Sequence, residues 1–253
     1  MDPKVLLLMP LAFVCEFIDS SLGMGYGTSL TPILLLMGFE PLQVVPAVLL
    51  SEFVSGITAA SFHHSIENVS FKPGSKDTKV ALALSAFAVL GTIIAVFLAV
   101  KLPAKTLKLW IGAIVLFMGI FILATFNRKP RFTWRKIATL GTVASFNKGM
   151  SGGGYGPLVM GGQLLSGISA KNAVGITSLS EGVTCLVGII LYFFLKSQAD
   201  WTLAPWLMAG AVLSVPLAAH TLKRLPERKV KIAIAVIIVT LGCLTLAKAL
   251  FRG

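Results

Sequence analysis

Five acidic or basic side chains, Glu16, Asp19, Glu52, Lys148 and Glu181, stand inside stretches that are otherwise strongly apolar. Charge withdrawn from water is costly, so a residue kept in such a place has a pairing or functional reason. Two glycine runs lie beside them, DSSLGMGYG from Asp19 to Gly27 and KGMSGGGYG from Lys148 to Gly156. Sliding the chain over itself by 129 positions aligns Phe17 with Phe146, Gly23 with Gly152, and Gly25-Tyr26-Gly27 with Gly154-Tyr155-Gly156. The same shift brings Leu50-Ser51-Glu52 onto Leu179-Ser180-Glu181. Identity of roughly one third over this window exceeds what shared apolar composition produces. The chain reads as a duplication, and the residues able to do chemistry recur as a set.

A glycine run inside a membrane-length apolar segment frees backbone N–H and C=O groups, which hydrocarbon cannot satisfy. A short helix is expected after each run, starting near Thr28 and near Pro157, where a proline in the first turn has no amide to waste. The helix N-terminus then directs free N–H groups and the positive end of its dipole at the break. Two such ends facing each other would form an anion seat, built from Gly23, Gly25, Tyr26, Gly27 and Thr28 and from Gly152, Gly154, Tyr155 and Gly156. The other reading of the glycines is close packing of helices. Ser20, Ser21, Asn147 and Ser151 add hydrogen-bonding side chains that could equally serve a neighbouring backbone.

Lys148 aligns with Asp19, which leaves two roles open: an Asp19–Lys148 ion pair across the halves, or a cationic contact for substrate. The two coexist if the substrate competes with Asp19. Glu52 and Glu181 hold equivalent positions away from water, so they are candidates for proton uptake and release, or for carboxyls bonded to a neighbouring helix. Glu16 lies one turn before Asp19 on the same helix face. His63, His64 and His220 close apolar segments, and their expected interfacial placement makes them poor catalysts. No HExxH, P-loop or nucleophile–base pair occurs, and Cys15, Cys185 and Cys243 have no metal-ligand spacing. No catalytic residue, metal or cofactor is expected. GxGxG without a preceding strand is not a dinucleotide fingerprint. GMGYG and GGGYG, the second with a lysine before it, do not make a potassium filter.

The elements that must position these residues follow from composition. Hydrophobic residues make up 56% of 253 and charged residues 13%, with a mean hydropathy of +0.88, as expected of an all-α integral membrane protein. The net charge of +12 gathers between apolar spans, which suits topology and lipid headgroups rather than nucleic acid. Apolar segments fall near 5–37, 42–62, 79–100, 106–126, 136–166, 171–195, 201–221 and 230–250, two sets of four. The first of each set is too long for one crossing, since about 33 helical residues reach roughly 50 Å, so each must divide at its glycines. Two homologous repeats are expected, 1–127 and 128–253, each with one glycine-broken hairpin and three spanning helices. If the broken segment is a hairpin the repeats are inverted; if it crosses once they are parallel. Lys and Arg favour the inverted reading, which puts fourteen of them on one side against seven, Lys148 set aside.

At these residues the chain resembles the sulfite exporter TauE/SafE family of membrane permeases. The likeness lies in two related halves, each opening with an apolar segment that ends in a glycine run. Gly175-Ile176-Thr177-Ser178-Leu179 follows the family pattern in the second half, and Pro46-Ala47-Val48-Leu49-Leu50 departs from it in the first. The resemblance implies secondary transport of small sulfur-containing anions such as sulfite or short organosulfonates, often outward, across the cytoplasmic membrane. On that reading Lys148 and the glycine-run amides hold the anion, and Glu52 and Glu181 bias the transport cycle by protonation. The expected partners are the small anion, the lipid bilayer and a second copy of the chain. A passive anion channel and a membrane-embedded accessory protein remain as alternatives.

Overall fold

The computed structural model describes residues 3–125, 134–195, 200–221 and 227–251, and all regular structure in them is helical. The helices are α1 (Pro3–Leu22), α2 (Tyr26–Met37), α3 (Pro41–Ser65), α4 (Lys76–Ala99) and α5 (Ala104–Thr125), then α6 (Trp134–Ser151), α7 (Tyr155–Leu164), α8 (Ala170–Leu195), α9 (Ala204–Thr221) and α10 (Glu227–Phe251). Both overlong segments divide at their glycines. The expected boundary between 127 and 128 lies outside the described residues.

Five of these helices are long and apolar enough to cross a membrane: Pro41–Ser65, Lys76–Ala99, Ala104–Ala124, Ala170–Leu195 and Ile232–Phe251. At 12 residues α2 reaches about 18 Å, roughly half a bilayer. Outward-facing residues such as Leu82, Leu90, Phe117, Phe194 and Leu217 are exposed, the pattern of a surface meant for lipid.

Packing links the two sets of five. α4 lies on α6 as α9 lies on α1, and α4 meets α8 as α9 meets α3. The remaining principal pairs join equivalent helices, α3 to α8 and α5 to α10. Small residues let backbones approach at these crossings. Gly56 sits against Ser178 and Gly182, while Leu49 reaches Gly188 and His63 reaches Gly175, so α3 and α8 run antiparallel. Gly112 meets Leu246, and Gly119 meets Val239 and Ala235, so α5 and α10 do too. The α3–α8 pair carries Glu52 and Glu181 past the two breaks.

Candidate functional site

The two breaks open with the same turn. Gly23 and Gly152 have φ of +70° and +69°, and each donates its N–H to the carbonyl four residues earlier, Asp19 O at 2.6 Å and Lys148 O at 2.8 Å. This left-handed conformation strains any residue with a side chain. The breaks also lie against each other: a methyl at Gly156 would stand 2.7 Å from the Gly23 carbonyl oxygen, and one at Gly27 would fall on the Gly152 carbonyl. The glycines therefore make close packing possible, whatever else they do. The new helices start at Tyr26 and Tyr155, two residues before the expected Thr28 and Pro157. Pro157 occupies the third helical position, where its missing amide is still no loss because the first four amides lack intrahelical acceptors.

Carbonyls freed at the breaks are met from the same place in each half. His63 Nε2 bonds Ser20 O at 3.0 Å, and the Tyr192 hydroxyl donates to Gly149 O at 2.9 Å. His63 and Tyr192 are related by the 129-residue shift, as are Ser20 and Gly149. His63 is thus not interfacial as expected but wholly buried, with Asn68 Nδ2 at its Nδ1. Sequence reading sets His63 aside as interfacial and does not single out Tyr192, although the same shift pairs them.

Lys148 is entirely buried. Its ammonium donates to Glu181 Oε1 at 2.7 Å and is ion-paired with Glu52 Oε2. The ion-pair partners are thus Glu52 and Glu181, not Asp19, which one of the two readings pairs with it. The lysine takes them because α3 and α8 bring the two glutamates together from opposite halves. Glu52 Oε1 also accepts the Gly27 N–H at 3.2 Å, and Asp19 Oδ1 accepts the Tyr26 N–H at 3.1 Å. The amides that open α2 are accordingly held by two of the protein's own carboxylates. At α7, Gly153 N–H goes to Ser151 Oγ at 3.2 Å and Gly154 N–H to Thr28 Oγ1 at 3.0 Å. Among the described residues no carboxylate accepts the Tyr155 or Gly156 N–H.

The hydroxyls around the two breaks differ. The Tyr26 hydroxyl pairs with Ser51 Oγ at 2.6 Å, whereas the buried Tyr155 hydroxyl has no hydrogen-bond partner, and Ser180 and Thr184, which correspond to Ser51 and Ser55, turn to backbone carbonyls of α8. Glu16 is buried one turn below Asp19, taking hydrogen bonds from Ser20 Oγ at 2.6 Å and Ser55 Oγ at 3.0 Å. Asn147 is buried beside Lys148, and its backbone carbonyl accepts from Ser151 Oγ at 2.7 Å. Ser21 is not brought into this group: its hydroxyl turns to Ala218 O on α9. The assembled centre holds four buried carboxyls, Glu16, Asp19, Glu52 and Glu181, and one buried ammonium. Breaking one partner from such a group leaves an uncompensated charge in a poorly hydrated space, so the centre is stable only as a set. Among the described residues no group of His, Cys, Asp and Glu is arranged to hold a metal ion.

Comparison with known proteins matches this sequence to a family model. The family model described as sulfite exporter TauE/SafE aligns with residues 8–245. The chain is 29% identical to the "probable membrane transporter protein YtnM" of Bacillus subtilis (strain 168), over 96% of this chain and 83% of that protein. It is 22% identical to the "probable membrane transporter protein YdhB" of the same organism, over 90% of this chain and 95% of that protein. Both relatives bear the name of a transporter, neither that of an enzyme. With its helical bundle, membrane-length apolar helices and paired glycine breaks, the chain belongs to the TauE/SafE sulfite exporter family of membrane transporters.

Proposed function

We propose that this protein is a secondary transporter of the cell membrane that exports small sulfur-containing anions such as sulfite or short organosulfonates. The observation that carries the reading is Lys148, a wholly buried ammonium held by Glu52 and Glu181, on the helix that leads into the second break, where among the described residues no carboxylate accepts the Tyr155 or Gly156 N–H of α7. A buried cation, oriented amides and a helix dipole are the elements of an oxyanion seat. Glu52 and Glu181 act as internal placeholders for the anion, holding the ammonium until substrate arrives. The incoming anion displaces one of them, and the displaced carboxylate takes a proton because it is left without a partner away from water. Four carboxyls around one ammonium make proton movement the natural companion of anion movement.

The architecture suits alternating access by two inverted repeats. Equivalent helices that cross antiparallel, α3 with α8 and α5 with α10, support that reading, since parallel repeats related about the membrane normal would align them. The near-complete burial of Lys148, Glu52 and Glu181 fits an occluded state, and it favours a carrier over an open channel.

The test is flux in proteoliposomes together with the melting temperature of purified protein across an anion panel, because a ligand of the folded state raises that temperature by mass action. Sulfite, thiosulfate or a short sulfonate should stabilise and be transported where chloride is not, and the Glu52→Gln, Glu181→Gln double variant should lose the pH dependence of flux. Stabilisation by a cation alone, or pH dependence that persists in the double variant, would overturn the corresponding part of the proposal.

A further inference from the structure

Away from the central site, where α2 ends and α5 begins, a cavity of about 220 Å³ opens against the last turns of α10. Its polar lining is Glu40, Lys108, Thr245 and Lys248. Lys108 donates to Glu40 Oε1 at 2.9 Å, and Glu40 is more than half exposed, so the carboxylate stands at the mouth. Lys248 donates to Leu35 O and Leu36 O, both at 3.0 Å, in the last turn of α2, where Leu35 O also accepts the Gly38 N–H. An ammonium has three N–H groups, so one stays available.

Thr245 is the unexplained member. It is 3% exposed, and its hydroxyl has no hydrogen-bond partner. Several helical threonines return theirs to the carbonyl four residues back, as Thr92 does to Ala88 O and Thr240 to Val236 O, whereas Thr245, like Thr31 in α2, does not. A buried hydroxyl without a partner loses its hydration with nothing in return. The position is not inherited from the repeat, because the shift that aligns Gly119 with Gly242 places Ile122 at the equivalent of Thr245.

A second cavity, about 410 Å³, shares Leu36 and Lys248 with the first and continues along Leu244, Ala247 and Phe251. Phe251 is 86% exposed and Leu244 51%, so this part faces the lipid chains. Lys108 lies in the first turns of one membrane-length helix and Lys248 in the last turn of another, the depth at which lipid headgroups meet hydrocarbon.

We propose that this pair of cavities binds one aminophospholipid. The phosphate takes Lys108, Lys248 and the Thr245 hydroxyl, the headgroup ammonium takes Glu40, and an acyl chain runs along Leu36, Leu244 and Phe251. Glu40 decides the class: beside it a headgroup with no cation leaves an acidic residue facing a phosphate, whereas an ethanolamine headgroup compensates both charges. The occupant locks the end of α2 to α10, and α2 is the helix that carries the first glycine break.

The test uses the full chain, purified and stripped of lipid, with native mass spectrometry and melting temperature read against phosphatidylethanolamine, phosphatidylglycerol and water-soluble phosphoethanolamine. Phosphatidylethanolamine should be retained and raise the melting temperature by several degrees, with phosphatidylglycerol weaker and the free headgroup inactive at equal concentration. Thr245→Val, which keeps the shape of the side chain, should weaken retention about fivefold, the scale of one hydrogen bond. Glu40→Gln should erase the preference between the two lipids while leaving the fold intact. Equal retention of both lipids by wild type, or retention unchanged by Thr245→Val, would overturn the site. Stabilisation by free phosphoethanolamine as strong as by the lipid would overturn the lipid assignment.

Discussion

At the first break the amides that open α2 are already taken, Tyr26 by Asp19 and Gly27 by Glu52. At the second, Lys148 stands where Asp19 stands in the first, and it draws Glu52 and Glu181 to itself. The backbones turn alike at Gly23 and Gly152, with φ of +70° and +69°, and diverge at Gly25 and Gly154, with φ of +138° and +80°. One helix N-terminus is thus neutralised from within the chain, while at the other, among the described residues, no carboxylate accepts the Tyr155 or Gly156 N–H. A duplicated scaffold becomes an asymmetric site chiefly through its charged positions, Asp19 against Lys148 and Glu16 against Ser145, because charge acts strongly where water is scarce. The difference teaches that the repeat supplies the fold and its departures supply the chemistry.

The largest effect is expected from the residue that makes the breaks differ. Lys148→Met should abolish transport and destabilise the protein by about 3–5 kcal/mol, the cost of leaving buried carboxylates unpaired. Protonation neutralises those carboxylates, so the loss should be greatest at high pH and shrink as pH falls, read as melting temperature against pH. Adding Glu52→Gln and Glu181→Gln to Lys148→Met should restore stability without restoring transport. Recovery of transport in that triple variant would show that charge does not separate the two breaks.

Next come the shared glycines. Gly27→Ala and Gly156→Ala should each cost about 1–3 kcal/mol, since each methyl meets the opposing backbone and something must shift. Similar losses in the two halves, by thermal or denaturant melts, would support equivalence of the crossings; a harmless change at either would break it. Asp19→Ala should cost about 1–2 kcal/mol by orphaning the Tyr26 amide, while Asp19→Asn, which keeps an acceptor, should cost less. The smallest loss belongs to Tyr192→Phe, about 1 kcal/mol, from leaving Gly149 O unpaired. Comparing it with His63→Phe tests whether the two different side chains do the same work at Ser20 and Gly149.

Much of this organisation was legible in the sequence. Apolar length set the helices, because a bilayer demands long uninterrupted runs, and all eight expected segments correspond to helices among the described residues. The two overlong ones divide at their glycines because no other residue supplies that backbone so cheaply. Glu52, Lys148 and Glu181 could be singled out because charge in an apolar run is rare. The partners of Lys148 could not be read from the chain. Alignment of the halves pairs it with Asp19, but the alignment records equivalence in the repeat, not proximity in space.

Only the tertiary structure decided that Glu52 and Glu181 reach the ammonium. That contact depends on α3 and α8 crossing antiparallel at Gly56 and Gly182, an arrangement set by side-chain shape over many turns. The inward turn of His63, the diversion of Ser21 to α9 and the two carboxylates seated on the α2 amides belong to the same category. Local composition determines which segments leave water and where the backbone can break; which buried donor meets which acceptor is settled when the helices dock, because every unpaired polar group in that interior carries a cost.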